Sequence, residues 1–586
     1  SSAALLNALE IAGKEIDQVR VIVSGAGASA ITCVKLYLSL GVKRENVLLF
    51  DSKGPITTDR TDLSSHKQEL AAAPGPADLA EAMKGADVFL GLSKANVVTQ
   101  AMLASMAENP IVFALANPDP EIAYEDAIAV RSDIIMATGR SDHPNQVNNV
   151  LGFPYIFRGA LDVRASGITE GMKLAAVRAI ADLAKETVPE EVNEAYGQRN
   201  LCFGPLMIIP KPLDPRLISV VAPAVAKAAM DEGIAKYPIT DWDAYQSELT
   251  ARLGLDNKFI KQIHQRAKQA PKRVVFAEAD HYSILKAAQI AQDEGIAHPI
   301  LLGNETHIRS MIAADHLGLE DCLIIDPQSE SQTEKIEVYA KLLFEKRQRR
   351  GITLNDARKN MRKRNYFGAA MLETGEADAL ISGLTRNYPD TIRPALQLIG
   401  VDQNVNKIAG MYALISKEGV YFFADTTVNL DPSAQELAEI AVLVAEEVKR
   451  YRIEPHIAML SYSNFGSSDG PDSDKVREAV KILHTKHPDL IADGDIQANF
   501  ALNPKLLREH YPFSPLVEKV ANTFIFPNLA AGNIAYKLIQ EMSDTEAIGP
   551  ILLGMKKPVH VLQTGSSVQE IVNMIAVAVL DAQKQG

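Results

Sequence analysis

The stretch from Val19 to Asp51, VRVIVSGAGASAITCVKLYLSLGVKRENVLLFD, constrains the first third of the chain more than any other segment. A β-branched run (Val19, Val21, Ile22, Val23) stops at Gly25-Ala26-Gly27. Apolar residues then recur at helical spacing (Ile31, Val34, Leu36, Tyr37, Leu40), and a second apolar run ends in Asp51. That order predicts a strand, a tight turn, a helix and a second strand, as in a dinucleotide-binding unit. Gly25 makes the turn, and Gly27 lets amides at the helix N-terminus approach a pyrophosphate, where the helix dipole favours an anion. Ala26, Ala28 and Ser29 complete the turn, and Ala30 stands where a small residue lets helix and strand pack closely. Asp51, followed by Ser52 and Lys53, is placed to meet the adenosine ribose. A plain α/β core turn can also carry such glycines, so the weight lies on the agreement of strands, helix and terminal acid. Asp51 repels a 2′-phosphate and favours NAD, whereas Lys53 pairs with one and favours NADP. These residues leave both open.

A chain of 586 residues is too long for one core, and about three to four domains are expected. The net charge of −13 offers no basic face to neutralise phosphates, which argues against a nucleic-acid partner. No apolar run approaches a membrane span, and the opening SSAALLNALEIAGKEIDQ lacks the basic start and cleavage site of a signal peptide, so a cytoplasmic protein is expected. That opening reads as a helix cut off at its beginning. Cys33, Cys202 and Cys322 lie far apart without metal or redox spacing and are read as buried structural thiols. The histidines include no H-E-x-x-H pair, so no zinc site is visible.

After Asp51, the apolar runs ADVFLGLS (86–93), PIVFALAN (110–117) and DIIMATG (133–139) alternate with helical segments. Alternation of this kind means a parallel sheet covered on both faces, with ligands at the carboxyl ends of the strands. Asn117 in ALANPDP and the Asn148-Asn149 pair fall there. Each is a ligand contact or a turn or helix cap, because short polar side chains also bond local backbone.

These residues carry a family resemblance. From Val19 through ALANPDP to TGRSDHPNQVNNVLGFPYIFRGALD the chain resembles the cofactor domain of malic enzymes. It is most similar to the large bacterial type with a phosphotransacetylase-like domain at its C-terminus. AVRAIADLA, IIPKPLDPRLI and APAVAKAAM extend the match, so that it covers essentially the whole chain. The resemblance implies oxidative decarboxylation of malate to pyruvate and CO2 with reduction of NADP. By the same resemblance Asn117 and Asn149, beside Asn148, contact malate or the nicotinamide. The type is usually NADP-dependent, with NAD possible, which favours Lys53 as a phosphate partner. Both related families form homo-oligomers, and one is expected here.

The resemblance also implies a Tyr general acid, a Lys general base and three acidic ligands for Mg or Mn, all upstream of where this sequence begins. The last acid would lie just before AALLNALEIAGK. On this reading the chain is a malic enzyme missing its N-terminal lobe, with no catalytic residue or metal ligand of its own. Losing CO2 requires a divalent Lewis acid on the keto-acid oxygens, so the chain alone is expected to be inactive.

The predicted architecture is α/β: a Rossmann-type dinucleotide-binding domain (1–165), a helical connector (166–270) and a two-subdomain α/β domain (271–586) with an insertion over about 405–550. In the connector, the lone Trp242 is read as a buried anchor. From Lys272 strand and helix alternate again, and MYALIS with GVYFFADTTVN reads as an antiparallel pair. ISGLTRNYPDTIRPAL, LSYSNFGSS, FPNLAAGNIAYKLIQ and AIGPILLGMKKPVHVL resemble the motifs of phosphotransacetylases, which transfer acetyl between phosphate and coenzyme A. By that resemblance Arg347, Ser382, Arg393 and Ser463 line a cleft for acetyl-CoA. The catalytic signature is broken: a Ser-Arg pair is replaced by Gln563-Thr564, an aspartate base by Glu570, and an arginine by Glu541. Transfer involving phosphate needs cations to hold the anion, and these changes remove or reverse them. The expectation is a silent transferase that senses acetyl-CoA and supports assembly. The alternatives are a protein that only binds or assembles, and an active phosphate acetyltransferase.

Overall fold

The computed structural model describes residues 1–251, 258–403, 405–416, 418–543 and 545–585. The chain divides into two compact units, Ser1–Asp256 and Asn257–Gly586.

The first unit is built on a six-stranded sheet of β1 (Val21–Ser24), β2 (Val47–Asp51), β3 (Gly54–Pro55), β4 (Val88–Gly91), β5 (Ile111–Ala114) and β6 (Ile135–Thr138), in the order β3-β2-β1-β4-β5-β6. Five strands run parallel, and only the two-residue β3 is antiparallel, against the end of β2. All four residues of β1 are buried, as helical cover on both faces of a parallel sheet requires. Val21 stands opposite Val47 on one side and Val88 on the other. The strand order reverses at β1, which places the switch point of the fold between β1 and β4. The helices α1 (Ser2–Ala12) and α2 (Ala28–Leu40) contribute Leu5, Val34 and Tyr37 to the core beneath the sheet.

The helices Glu170–Leu183, Arg216–Asp231 and Trp242–Ala251 pack into this unit instead of forming a separate connector, and Lys258–Gln269 belongs to the second unit. Their apolar faces decide this: Ile180, Leu217 and Val225 join the first core, and Phe259 and Ile263 the second. Asn7, fully buried on α1, donates its amide to the carbonyls of Ala181 (2.8 Å) and Ile208 (2.9 Å). A buried carbonyl left without such a donor costs about 1–3 kcal/mol, so this one side chain ties α1, the helix Glu170–Leu183 and the IIPKP segment together. Trp242 is half-buried, edge-on to Tyr245. Of the three cysteines only Cys322 is buried, correcting the expectation of three buried thiols. Cys33 lies on a helix and Cys202 in a loop, each facing outward in part.

The second unit contains two sheets. One is wholly parallel: β7 (Lys272–Phe276), β8 (Ala297–Leu302), β9 (Leu323–Ile325), β10 (Ala379–Ser382) and β17 (Val559–Val561), in the order β17-β10-β7-β8-β9. The other is mixed: β11 (Ala409–Ser416), β12 (Gly419–Ala424), β13 (His456–Leu460), β14 (Ile491–Ile496), β15 (Thr523–Ile525) and β16 (Glu546–Leu553), in the order β14-β13-β15-β12-β11-β16. Met411 to Ser416 pair antiparallel with Ala424 to Gly419, the hairpin expected from MYALIS and GVYFFA. The helix Val568–Ala582 is buried around most of its circumference and touches both sheets. A helix that is apolar all round belongs inside a core, and this one forms the centre of the unit.

Candidate functional site

Gly25 opens the turn after β1 with φ +120°. A Cβ there would lie 2.4 Å from the Leu92 carbonyl oxygen, so only glycine lets β1 and β4 approach this closely. Beyond it Gly27, Ala28 and Ser29 are exposed, while Ala30 is buried against the core. Among the described residues nothing beyond its own chain neighbours lies within 4 Å of where a Gly27 Cβ would be, and no side chain caps the N-terminus of α2. The first amides of this thirteen-residue helix therefore face an open approach at the switch point, which fits an anionic pyrophosphate. Gly25 N donates to the Phe50 carbonyl (2.9 Å) and holds the turn beside the end of β2.

Asp51, at that end, is heavily engaged. Arg60 grips it with two hydrogen bonds (2.9 and 3.2 Å), Lys67 donates at 2.8 Å, and the Lys53 amide at 3.0 Å. Its side chain is 11% exposed. Burial disfavours its charge, but Arg60 and Lys67 outweigh burial and hold its pKa far below the ordinary carboxylate range. The Lys53 ammonium pairs with Asp62 (2.7 Å), which Arg60 also contacts (3.0 Å). Three cations thus meet two carboxylates at the end of β2, leaving one net positive charge. Sequence reasoning found Asp51 and Lys53 but not Arg60 or Lys67, because no periodicity marks a cation that folds back from a loop.

At the other half of the sheet, Asn117 is exposed just beyond β5, its amide nitrogen 4.0 Å from the Cβ position of Gly139 after β6. Asn148 is also exposed and accepts from the Val150 amide (3.0 Å), so it caps the turn in which the exposed Asn149 stands. The buried member of HPNQVNN is Asn145, which bonds Met136 and Pro205 carbonyls and the Ile208 amide. Lys211 of IIPKP is buried, donates to the Pro144 carbonyl, and has its pKa lowered by burial. The residue that sequence reasoning missed here is Glu121, fully buried among the ends of β4 and β5. Among the described residues no group of three or more His, Cys, Asp or Glu side chains could hold a metal ion. The described residues do not fit a divalent-metal site.

In the second unit, Arg347 donates to the Leu396 and Gln397 carbonyls at the end of the helix Tyr388–Leu398. Arg393, on the same helix, has a side chain 60% exposed, with Asp390 at 3.9 Å. Burial raises the pKa of Tyr366, which the Arg393 and Arg347 guanidiniums oppose. Ser382 is buried and bonds Asn365 (2.9 Å), and Ser463 is buried within a serine-rich loop where it accepts from the Ser468 amide (3.1 Å). Gln563 donates to the hydroxyls of Tyr412 and Tyr536 (3.1 Å for the latter), whose rings stack at 4.1 Å. Thr564 and Glu541 are exposed, and Glu570 closes a capping box with Ser567.

The pKa of Asp51 makes a prediction about stability. A carboxyl depressed in the folded state stabilises above its unfolded value of about 4, and that contribution is lost as pH falls toward the folded value. Asp51→Asn is expected to destabilise the first unit by about 1–3 kcal/mol at pH 7, with the deficit shrinking below about pH 4. Denaturant titrations of both proteins at pH 7 and pH 3 measure it; a deficit independent of pH would refute the assignment.

Residues 1–196 match the family model described as malic enzyme, NAD binding domain, and residues 258–579 match that of phosphate acetyl/butaryl transferase. The chain is 44% identical to the NADP-dependent malic enzyme of Haemophilus influenzae, over all of this chain and 78% of that protein. It is 41% identical to an NAD-dependent malic enzyme of Rhizobium meliloti, over 99% of this chain and 76% of that one. A phosphotransacetylase from Streptococcus pyogenes superposes with a TM-score of 0.52 at 35% identity, covering 56% of this chain and 98% of that one. With the glycine turn at a Rossmann switch point and a relative matched over all of this chain and 78% of its own length, the chain belongs to the malic enzyme family, in the form that carries a phosphate acetyl/butaryl transferase domain.

Proposed function

We propose that the chain takes part in the NADP-linked oxidative decarboxylation of malate to pyruvate and CO2. The observation that carries the choice of NADP is the cation cluster at the end of β2. Asp51, the acid that would repel a 2′-phosphate, is neutralised by Arg60 and Lys67, and Lys53 stands beside them. Two carboxylates against three cations favour a phosphate over a bare hydroxyl. When bound, the nicotinamide ring accepts the hydride from C2 of malate. Gly25 to Ala30 hold the pyrophosphate, and Asn117 with Asn149 orient substrate and ring. In calorimetry, Arg60→Ala and Lys67→Ala are each expected to weaken NADP by about tenfold while changing NAD by less than about threefold. Equal losses for both nucleotides would return the choice of cofactor to Asp51.

The second unit is proposed to be a silent transferase that retains a site for acetyl-CoA and contributes to a homo-oligomer. Support comes from Gln563, whose amide ties Tyr412 and Tyr536 together where the active family carries its Ser-Arg pair. Exposed Arg393 remains available to an anionic ligand. No acetyl-CoA is expected to form from acetyl phosphate and coenzyme A. Titrated acetyl-CoA is expected to saturate near one site per chain and to bind about tenfold more weakly to Arg393→Ala. An absence of binding at near-millimolar ligand would leave assembly as the role of this domain.

A further inference from the structure

Glu121 lies at 0% exposure between the ends of β4 and β5. One carboxylate oxygen accepts from the Ser93 amide (2.8 Å) and the Ser93 hydroxyl (3.2 Å), and the other from the Ala116 amide (3.1 Å). Ser93 Oγ lies 2.9 Å from Ser24 Oγ, so the same contacts reach the end of β1. The strand β4 leaves room for the carboxylate only because residue 91 is glycine: a Cβ there would fall 2.3 Å from the Glu121 carboxyl carbon. Glu121 is ordered by its main chain as well, its carbonyl accepting from the Val98 amide (3.0 Å).

The Ser93 and Ala116 donors to this carboxylate are neutral, and among the described residues no Lys, Arg or His nitrogen lies within ion-pair distance of it. Asp51, the half-buried acid at the end of β2, is by contrast gripped by two cations. The first unit therefore carries an uncompensated negative charge beneath the β4–β5 half of its switch point. A dinucleotide lies across such a sheet with its adenosine over the acid at the end of β2 and its second nucleotide over the other half. An oxidised nicotinamide ring bears a positive charge, and the reduced ring bears none. A fixed buried charge acts strongly on a ring that excludes water above it.

We propose that Glu121 selects the oxidation state of the nicotinamide cofactor, its carboxylate favouring the oxidised, cationic ring over the reduced, neutral one. This rests on the reading of the first unit as a nicotinamide nucleotide site. The consequence for the reaction is directional: an oxidising enzyme that favours the oxidised cofactor also releases the reduced product more readily.

The test compares the dissociation constants of NADP+ by calorimetry and NADPH by its fluorescence, on the chain as it stands and on two variants. Glu121→Gln keeps the shape and removes the charge; NADP+ is expected to weaken at least about fivefold while NADPH changes less than about twofold. Ser93→Ala removes one donor but leaves the charge, and the ratio of the two constants is expected to stay as in the parent. Equal weakening of both nucleotides by Glu121→Gln would make Glu121 a purely structural support and overturn the proposal. If that variant does not fold, the parent still decides: NADPH bound more than about tenfold more tightly than NADP+ would overturn it. Binding of neither nucleotide to the parent would instead overturn the nucleotide-site reading beneath it.

Discussion

Turns at the carboxyl ends of parallel strands point main-chain amides into the protein, and each buried amide must find an acceptor. In all three sheets of this chain a buried carboxylate meets that need. Glu121, beyond β5, accepts from Ser93 and Ala116. Glu278, just beyond β7, accepts from the amides of Gly383, Leu384 and Thr385 and from the Thr385 hydroxyl. Asp425, immediately after β12, accepts from the amides of Gly410, Thr427, Val428 and Asn429. Hydrogen bonds to an ion are about twice as strong as neutral ones, and Glu278 also has the Arg386 guanidinium at 3.7 Å. The loops on which each candidate site depends are held by this device, since Ser93 and Ala116 flank the Rossmann switch point and Gly383 to Thr385 lead into the helix that carries Arg393.

The physics that was legible in the sequence is the physics that acts over short range. The Gly25 turn, the helix of α2, the parallel runs and the hairpin Met411–Ala424 follow from residues adjacent to one another. So does Asp51 at the end of β2. What acts on Asp51 does not: Arg60 and Lys67 return from a loop, and the requirement they answer exists only once β2 has placed the carboxylate. Glu121 was hidden for the same reason. It lies 30 residues after Gly91, whose missing Cβ makes its space, and 28 after Ser93, its main donor. The one short-range clue was an acid directly after the ALANPDP turn, where a surface acid is just as ordinary. The thiols show the reverse error, in which a rule about residue type (free cysteines are buried) met positions where the backbone left Cys33 and Cys202 partly outside.

The two units differ in what kind of position could change. In the second, the carboxylates that hold the loops are buried, at 2% exposure for Glu278 and 2% for Asp425, and each answers three or more amides. Replacing either would strand those amides at a cost of about 1–3 kcal/mol apiece, enough to threaten the fold. Thr564 and Glu541 are exposed, and Gln563 packs onto a tyrosine pair that it can satisfy by itself. Substitution there alters the field at the cleft and leaves the sheets intact. On the proposed reading, a domain can in this way lose the cations that hold the phosphate in acetyl transfer while keeping its fold, because the two sets of residues answer to different energies. The first unit has less of this freedom. There the acid that supports the loops and the charge under the cofactor are one residue, Glu121, so a truncation that emptied its place would lose the charge and strand the Ser93 and Ala116 amides together.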